Sequence, residues 1–142
     1  MKKRMTALLL VFAVALSLTA CSSGGKTQTP TDVDLTALSG TMVYSEVYNM
    51  VTTPENYLGK TVKMNGTFSI YHDEKNDKYY FACLIADATA CCSQGIEFVL
   101  KGEHSYPRDY PEVGSEITVT GRFNTYKEGE IVYCQLTDAQ FV

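Results

Sequence analysis

Lys60-Thr61-Val62-Lys63-Met64-Asn65-Gly66-Thr67-Phe68-Ser69-Ile70 is the stretch whose pattern decides the fold. Its apolar residues Val62, Met64, Phe68 and Ile70 fall on alternate positions, with Thr61, Lys63, Asn65, Thr67 and Ser69 between them. In an extended chain successive side chains point to opposite faces, so this period of two predicts a long β-strand with one buried face. Gly66 occupies the apolar parity, and a glycine inside a strand marks a bulge or a bend of the kind a strand needs to curl between two sheets. A curled sheet closing on itself is the architecture this predicts.

Working outward, the polar run His72-Asp73-Glu74-Lys75-Asn76-Asp77 predicts a hairpin loop, and Lys78 to Ala86 the returning strand, with bulk from Tyr79, Tyr80, Phe81, Leu84 and Ile85. Short β runs follow at Ile96 to Leu100, Glu116 to Phe123 and Ile131 to Leu136, punctuated by Gly95, Gly102, Gly114, Gly129 and a loop containing Pro107. Upstream, Met42, Val43, Val47, Met50 and Val51 recur at helical spacing after Ser39-Gly40-Thr41 and predict one short amphipathic helix. Pro54 then suits the first position of a further turn, and Gly59 a C-terminal cap. The expected fold class is mainly β, five strands closing a small barrel after a short helix, over residues 33–142.

Tyr57-Leu58-Gly59-Lys60-Thr61-Val62 leading to Gly66-Thr67-Phe68, and Val113 to Phe123 with Gly121 inside it, resemble an OB-fold barrel over Gly59 to Val142. That resemblance implies a ligand on the face of the second and third barrel strands and on the flanking loops, here His72 to Asp77 and Thr125 to Gly129.

The other end of the chain reads as an address. Lys2, Lys3 and Arg4 precede an apolar run from Ala7 through Leu18 and a small-residue finish, the layout of a signal peptide over residues 1–20. The run falls short of the roughly 20 apolar residues a bilayer span needs. Leu18-Thr19-Ala20-Cys21 resembles the bacterial lipobox, with Thr19 a departure at its second position. The resemblance implies lipid, of the diacylglyceryl and palmitate kind, on the Cys21 thiol and cleavage before it. Residues 21–32 hold no apolar residue able to pack and read as a polar tether, a few nanometres long at most by the scaling of about 5 to 6 Å times the square root of residue number. The expected location is the cell membrane, lipid-anchored, on the extracytoplasmic face.

Once the leader's three cations are removed, nine basic residues face sixteen acidic ones, a net charge of −7 on the mature part. Nucleic acid selects cationic stripes that release its counterions, so the composition argues for no nucleic-acid partner. A small ligand or an envelope protein is the partner class expected, beside the membrane itself.

Cys83, Cys91, Cys92 and Cys134 are an even number in an oxidising compartment, which favours one or two disulfides. Against that stands the adjacent pair Cys91-Cys92, because a bridge between neighbours closes a strained ring. In an OB-like strand order all four lie on adjoining strands, and clustered thiolates would make a tetrahedral Zn²⁺ site. The spacing C-x7-C-C-x41-C lacks the C-x2-C knuckles of zinc motifs. A redox-active thiol at Cys91 or Cys92 is the third reading. The segment Ala86-Asp87-Ala88-Thr89-Ala90-Cys91-Cys92-Ser93-Gln94-Gly95-Ile96 resembles one in small lipoproteins of Firmicutes. It is distantly similar to the Cys-Cys/Ala-Asp-Ala segment of bacterial permease subunits, although Asp87 here precedes the cysteines; the association is with transport and metal trafficking.

His72 and His104 are at no ligand spacing and read as solvated loop residues. Asp73, Glu74 and Asp77 lack the alternating acids, glycine and final Glu of a Ca²⁺ loop and read as a solvated turn. Tyr79 and Tyr133 offer an aromatic face for a planar or sugar ligand, or else simply belong to the barrel wall. Taken together these residues predict a non-catalytic binding or accessory module with no resident cofactor. The thiolate zinc site and the thiol-disulfide protein are its rivals.

Overall fold

A computed structural model describes residues 30–89 and 91–142. The leader expected over 1–20, the expected lipid attachment at Cys21 and most of the expected tether lie outside the described residues. The described chain runs through β1 (Val33–Asp34), a 3-10 turn at Leu35–Ala37, the helix α1 (Gly40–Thr52) and a second 3-10 turn at Pro54–Asn56. It continues as β2 (Thr61–Asp73), β3 (Lys78–Ala86), β4 (Ser93–Leu100), β5 (Glu116–Glu128) and β6 (Ile131–Phe141).

The described residues are mainly β, with one short helix and a six-stranded mixed sheet. Its strand order is β1-β2-β3-β4-β6-β5, and a further β2–β5 pairing closes a ring of hydrogen bonds. Strand β2 makes that closure. Its first half pairs antiparallel with β5, from Thr61↔Arg122 to Thr67↔Glu116, and its second half with β3, from Thr67↔Leu84 to Asp73↔Lys78. The exchange of partners falls beside Gly66. A methyl group there would collide with the Leu84 carbonyl and lie 2.9 Å from both Cys83 Sγ and Ile85 Cδ1, so only glycine lets β3 come this close.

Alternation then fills the interior. Val62, Met64 and Phe68 from β2 meet Cys83 and Ile85 from β3, Ile96 and Phe98 from β4, Val119 and Phe123 from β5 and Leu136 from β6. Helix α1 covers one end of this core with Val47 and Met50, both fully buried, and Tyr57 follows it inward, its hydroxyl donating to Glu46 Oε1 at 2.8 Å. Burying a side chain of that size is worth about 1.5 to 3 kcal/mol, so two residues anchor the helix. Of the apolar stripe expected on α1, Met42 and Val51 stay exposed.

Several strand bounds differ from expectation, all in one direction. Strand β2 runs to Asp73 rather than Ile70, β5 to Glu128 rather than Phe123, β6 to Phe141 rather than Leu136, and β4 starts at Ser93. The loops expected at His72 to Asp77 and Thr125 to Gly129 shrink to tight turns. Both hairpins extend past the core, where ladder pairing continues to Asp73↔Lys78 and Glu128↔Ile131 and no buried apolar alternation marks the ends of β2 and β5. Strand β1, a two-residue parallel addition (Val33↔Val62), is too short to carry a pattern and makes the sixth strand.

Candidate binding face

The two overhanging hairpins, β2–β3 and β5–β6, meet above the outer surface of the sheet. At the register positions Tyr71↔Tyr80 and Tyr126↔Tyr133 each hairpin carries a pair of tyrosines. The Tyr71 and Tyr80 rings lie 6.1 Å apart, and Tyr126 stacks on Tyr133 at 5.4 Å and 20°. Lys78 Nζ sits between the pairs, 4.2 Å from the Tyr80 ring and 5.9 Å from that of Tyr126. Four aromatic faces and one ammonium thus make a continuous surface over both hairpins.

Two carboxylates organise it. Glu128 Oε1, on β5, accepts from Lys78 Nζ at 3.1 Å and from the Tyr80 hydroxyl at 2.6 Å, clasping one hairpin to the other. Glu97, on β4, accepts from the Tyr126 hydroxyl at 2.6 Å, a bond that reaches across the intervening strand β6. The bonds from Tyr80 and Lys78 hold Glu128 below the usual carboxylate range, while the Tyr80 oxygen and then Glu128 raise the Lys78 ammonium. Burial pushes Glu97 up, and the Tyr126 hydrogen bond only partly offsets it. Tyr126 is driven above the ordinary phenol range, first by burial and then by donating to Glu97. Both hydroxyls therefore stay protonated donors with fixed acceptors. Chemically the face offers stacking surface, one cation and two oriented carboxylates.

The sequence-predicted residues are distributed differently. Tyr133 belongs to this face, but Tyr79 has the opposite parity on β3. It stacks on His72 at 4.2 Å and 7° and lies 5.0 Å from the Tyr106 ring, so Tyr79 and Tyr133 are not brought together. His72 is a half-buried strand residue rather than a solvated loop residue, its Nε2 2.9 Å from Asp77 Oδ1. His104 lies in an exposed loop with Nε2 3.0 Å from the Lys101 carbonyl. Asp73 folds the β2–β3 turn, accepting from the Lys75 N–H at 3.0 Å and from Asn76 Nδ2 at 2.7 Å. Sequence reasoning missed Tyr80, Lys78, Tyr126, Glu97 and Glu128 as a set. Parity along β3 separates Tyr80 from Tyr79, whereas Tyr126 and Glu128 stood in a segment expected to be a loop.

The four cysteines do not share one environment. Cys83 is fully buried in the core, and burial pushes its thiol up to about 12. Cys134 is half-buried beside α1, its Sγ 3.8 Å from the Met50 carbonyl. Cys91 and Cys92 are exposed in the β3–β4 connection, with their sulfurs 3.6 Å apart. All four are free thiols, and among the described residues the one grouping with metal-ligand proximity is Asp87, Cys91 and Cys92. The strand order does place the cysteines on neighbouring strands, but Cys83 faces inward while the adjacent pair sits beyond the end of the ladder.

No helix among the described residues is long and apolar enough to cross a membrane. No protein-family model matches the chain, and a search of curated proteins returns no match. Among solved structures the chain is similar to a "putative nucleic acid-binding lipoprotein" from Klebsiella pneumoniae subsp. pneumoniae MGH 78578, with 22% identity and a TM-score of 0.43 over 67% of this chain and 80% of that one. The exclusion of nucleic acid does not stand beside that description and is withdrawn. A net charge of −7 describes residues 21–142 as a whole, whereas binding depends on the local field at one face.

Proposed function

We propose that this protein is a membrane-tethered, extracytoplasmic lipoprotein that acts as a non-catalytic binding module, its β-rich domain an OB-like barrel. The leader ending at Cys21 supports the anchoring, and the closed ring with one end capped by a helix supports the barrel. The recognition surface is the tyrosine face over β3, β4, β6 and β5, which takes a planar or sugar-like ligand by stacking on Tyr80, Tyr126 and Tyr133. The observation that carries this reading is the pair of clasping carboxylates. Glu128 and Glu97 fix the Tyr80 and Tyr126 hydroxyls in place and Tyr133 stacks on Tyr126, so the aromatic faces are held ready rather than ordered at the moment of binding.

Chemical-shift mapping of the isotope-labelled full chain against a panel of saccharides and planar aromatic fragments tests the face. Shifts converging on Tyr80, Tyr126 and Tyr133, and lost in the Tyr126→Ala and Tyr133→Ala variants, are expected. Shifts that converge elsewhere, or survive both substitutions, refute it. The anchoring is tested separately: Cys21→Ser is expected to abolish lipid labelling and release the protein from the membrane fraction, and a variant still labelled and membrane-bound refutes that part.

A further inference from the structure

The β3–β4 connection carries a second constellation, away from the tyrosine face. Strand β3 ends at Ala86 and β4 starts at Ser93, and the chain between them is drawn together by one residue. The Asp87 N–H donates to the Cys92 carbonyl at 2.9 Å. Asp87 Oδ1 accepts from the Thr89 N–H at 3.1 Å and the Cys91 N–H at 3.0 Å. In an extended strand adjacent side chains diverge, but this closed turn brings both sulfurs to the same side. Cys91 Sγ lies 3.6 Å from Cys92 Sγ and 3.3 Å from Asp87 Oδ2.

We propose that Asp87, Cys91 and Cys92 form a three-ligand site for a thiophilic divalent cation of the Zn²⁺ class, with the fourth position open to solvent. The distances carry the assignment. Two sulfurs about 2.3 Å from one ion at the tetrahedral angle are about 3.8 Å apart, and a sulfur and a carboxylate oxygen at about 2.0 Å are about 3.5 Å apart. The 3.6 and 3.3 Å separations match that geometry within a few tenths of an ångström. The donor set is soft enough to select Zn²⁺ or Cd²⁺ over Mg²⁺ or Ca²⁺. Binding is a proton exchange: the cation takes two thiolates and one carboxylate, and both thiol protons leave to solvent. Cys83 and Cys134 take no part, one fully buried and the other packed beside α1.

The test is titration of the full chain, reduced and freed of metal, with Cd²⁺ followed by its thiolate charge-transfer absorption, and with Zn²⁺ in competition. One cation per chain is expected, with binding lost in Cys91→Ser and in Cys92→Ser and retained in Cys134→Ala. Asp87→Asn keeps an oxygen to accept the Thr89 and Cys91 N–H bonds, so the turn survives. Its Kd is expected to rise by at least the roughly tenfold that loss of even a supporting hydrogen-bond partner costs a metal site. The proposal is overturned if no stoichiometric cation binds, if Cys91→Ser and Cys92→Ser retain it, or if Asp87→Asn binds like the parent. Recovery of Cys91 bridged to Cys92 in protein purified without reductant would also overturn it.

Discussion

Replacing Gly66 with alanine adds one carbon at the point where β2 changes partners, and the structure gives its surroundings. The new Cβ would press into the Leu84 carbonyl and lie 2.9 Å from Cys83 Sγ and from Ile85 Cδ1. Ordinary carbon contacts sit at about 3.5 to 4.0 Å, so β2 and β3 must separate by something near an ångström. Leu84 opposes the methyl with backbone, which has no rotamer to turn away. Overpacking of this kind costs about 1 to 3 kcal/mol. Against that, alanine recovers about 0.5 to 1 kcal/mol of the conformational entropy glycine loses in a strand. The balance is a destabilisation of about 1 to 2 kcal/mol, equivalent to a fall in Tm of roughly 4 to 16 °C for a domain of this size. Urea denaturation followed by circular dichroism measures it, with the slope unchanged and the midpoint lowered. Gly40, the first residue of α1, is the matched control: a Cβ there meets nothing within 4 Å, so Gly40→Ala is expected to leave the midpoint unchanged or slightly higher, a stabilisation of at most a few tenths of a kcal/mol. An unchanged or higher midpoint for Gly66→Ala would refute the argument that the ring closes through this glycine.

Three further outcomes are expected. Tyr126→Phe deletes the donor to Glu97 and, allowing for partial exposure, costs about 1 kcal/mol; the Glu97 carboxyl, already above its ordinary value of 4.5, rises further. Because that carboxyl holds its proton longer in the folded than in the unfolded chain, stability falls as pH rises from 4.5 through the folded value; a Glu97 titration by NMR that does not move in the variant refutes the pairing. Cys83 keeps its proton to about 12 when folded but ionises around 9.0 when unfolded, so stability falls across that interval by up to about 1.4 kcal/mol per pH unit. Cys83→Ala is expected to flatten the alkaline slope by one proton's worth, and an identical slope would count against the burial. Timed alkylation of the reduced, metal-free chain should modify Cys91 and Cys92 first, Cys134 more slowly and Cys83 only on unfolding; early loss of the Cys83 thiol would contradict its place in the core.

Much of the fold is legible in the chain because burial imposes a period. Val62, Met64 and Phe68 alternate along β2, and all three are fully buried; Val47 and Met50 keep helical spacing and cap one end of the core. Gly66 announces a bend because a missing side chain inside an apolar alternation needs a reason, and close approach of β3 supplies it. The expected leader, with its cations, apolar run and Cys21, rests likewise on local signals, but it lies outside the described residues. Patterning of this kind reports which side of an element faces the core, and it fades where an element leaves the core.

What only the tertiary structure decided lies outside that reach. The hairpin extensions at His72–Asp73 and Thr125–Glu128 are polar on both faces, so no alternation distinguishes strand from loop, and ladder hydrogen bonds alone make them strands. The candidate face depends on Glu128 meeting Tyr80 across 48 residues and Glu97 meeting Tyr126 across 29, pairings that no local spacing encodes. The cysteines show the same division. Their number is in the sequence, but whether four sulfurs converge depends on side-chain parity and on a turn: Cys83 points into the core on β3, while the Asp87 turn turns Cys91 and Cys92 outward together. Local chemistry determined the elements where they face the core, and the closure of the ring determined which polar side chains became neighbours, because only a folded sheet brings distant register positions within hydrogen-bond reach.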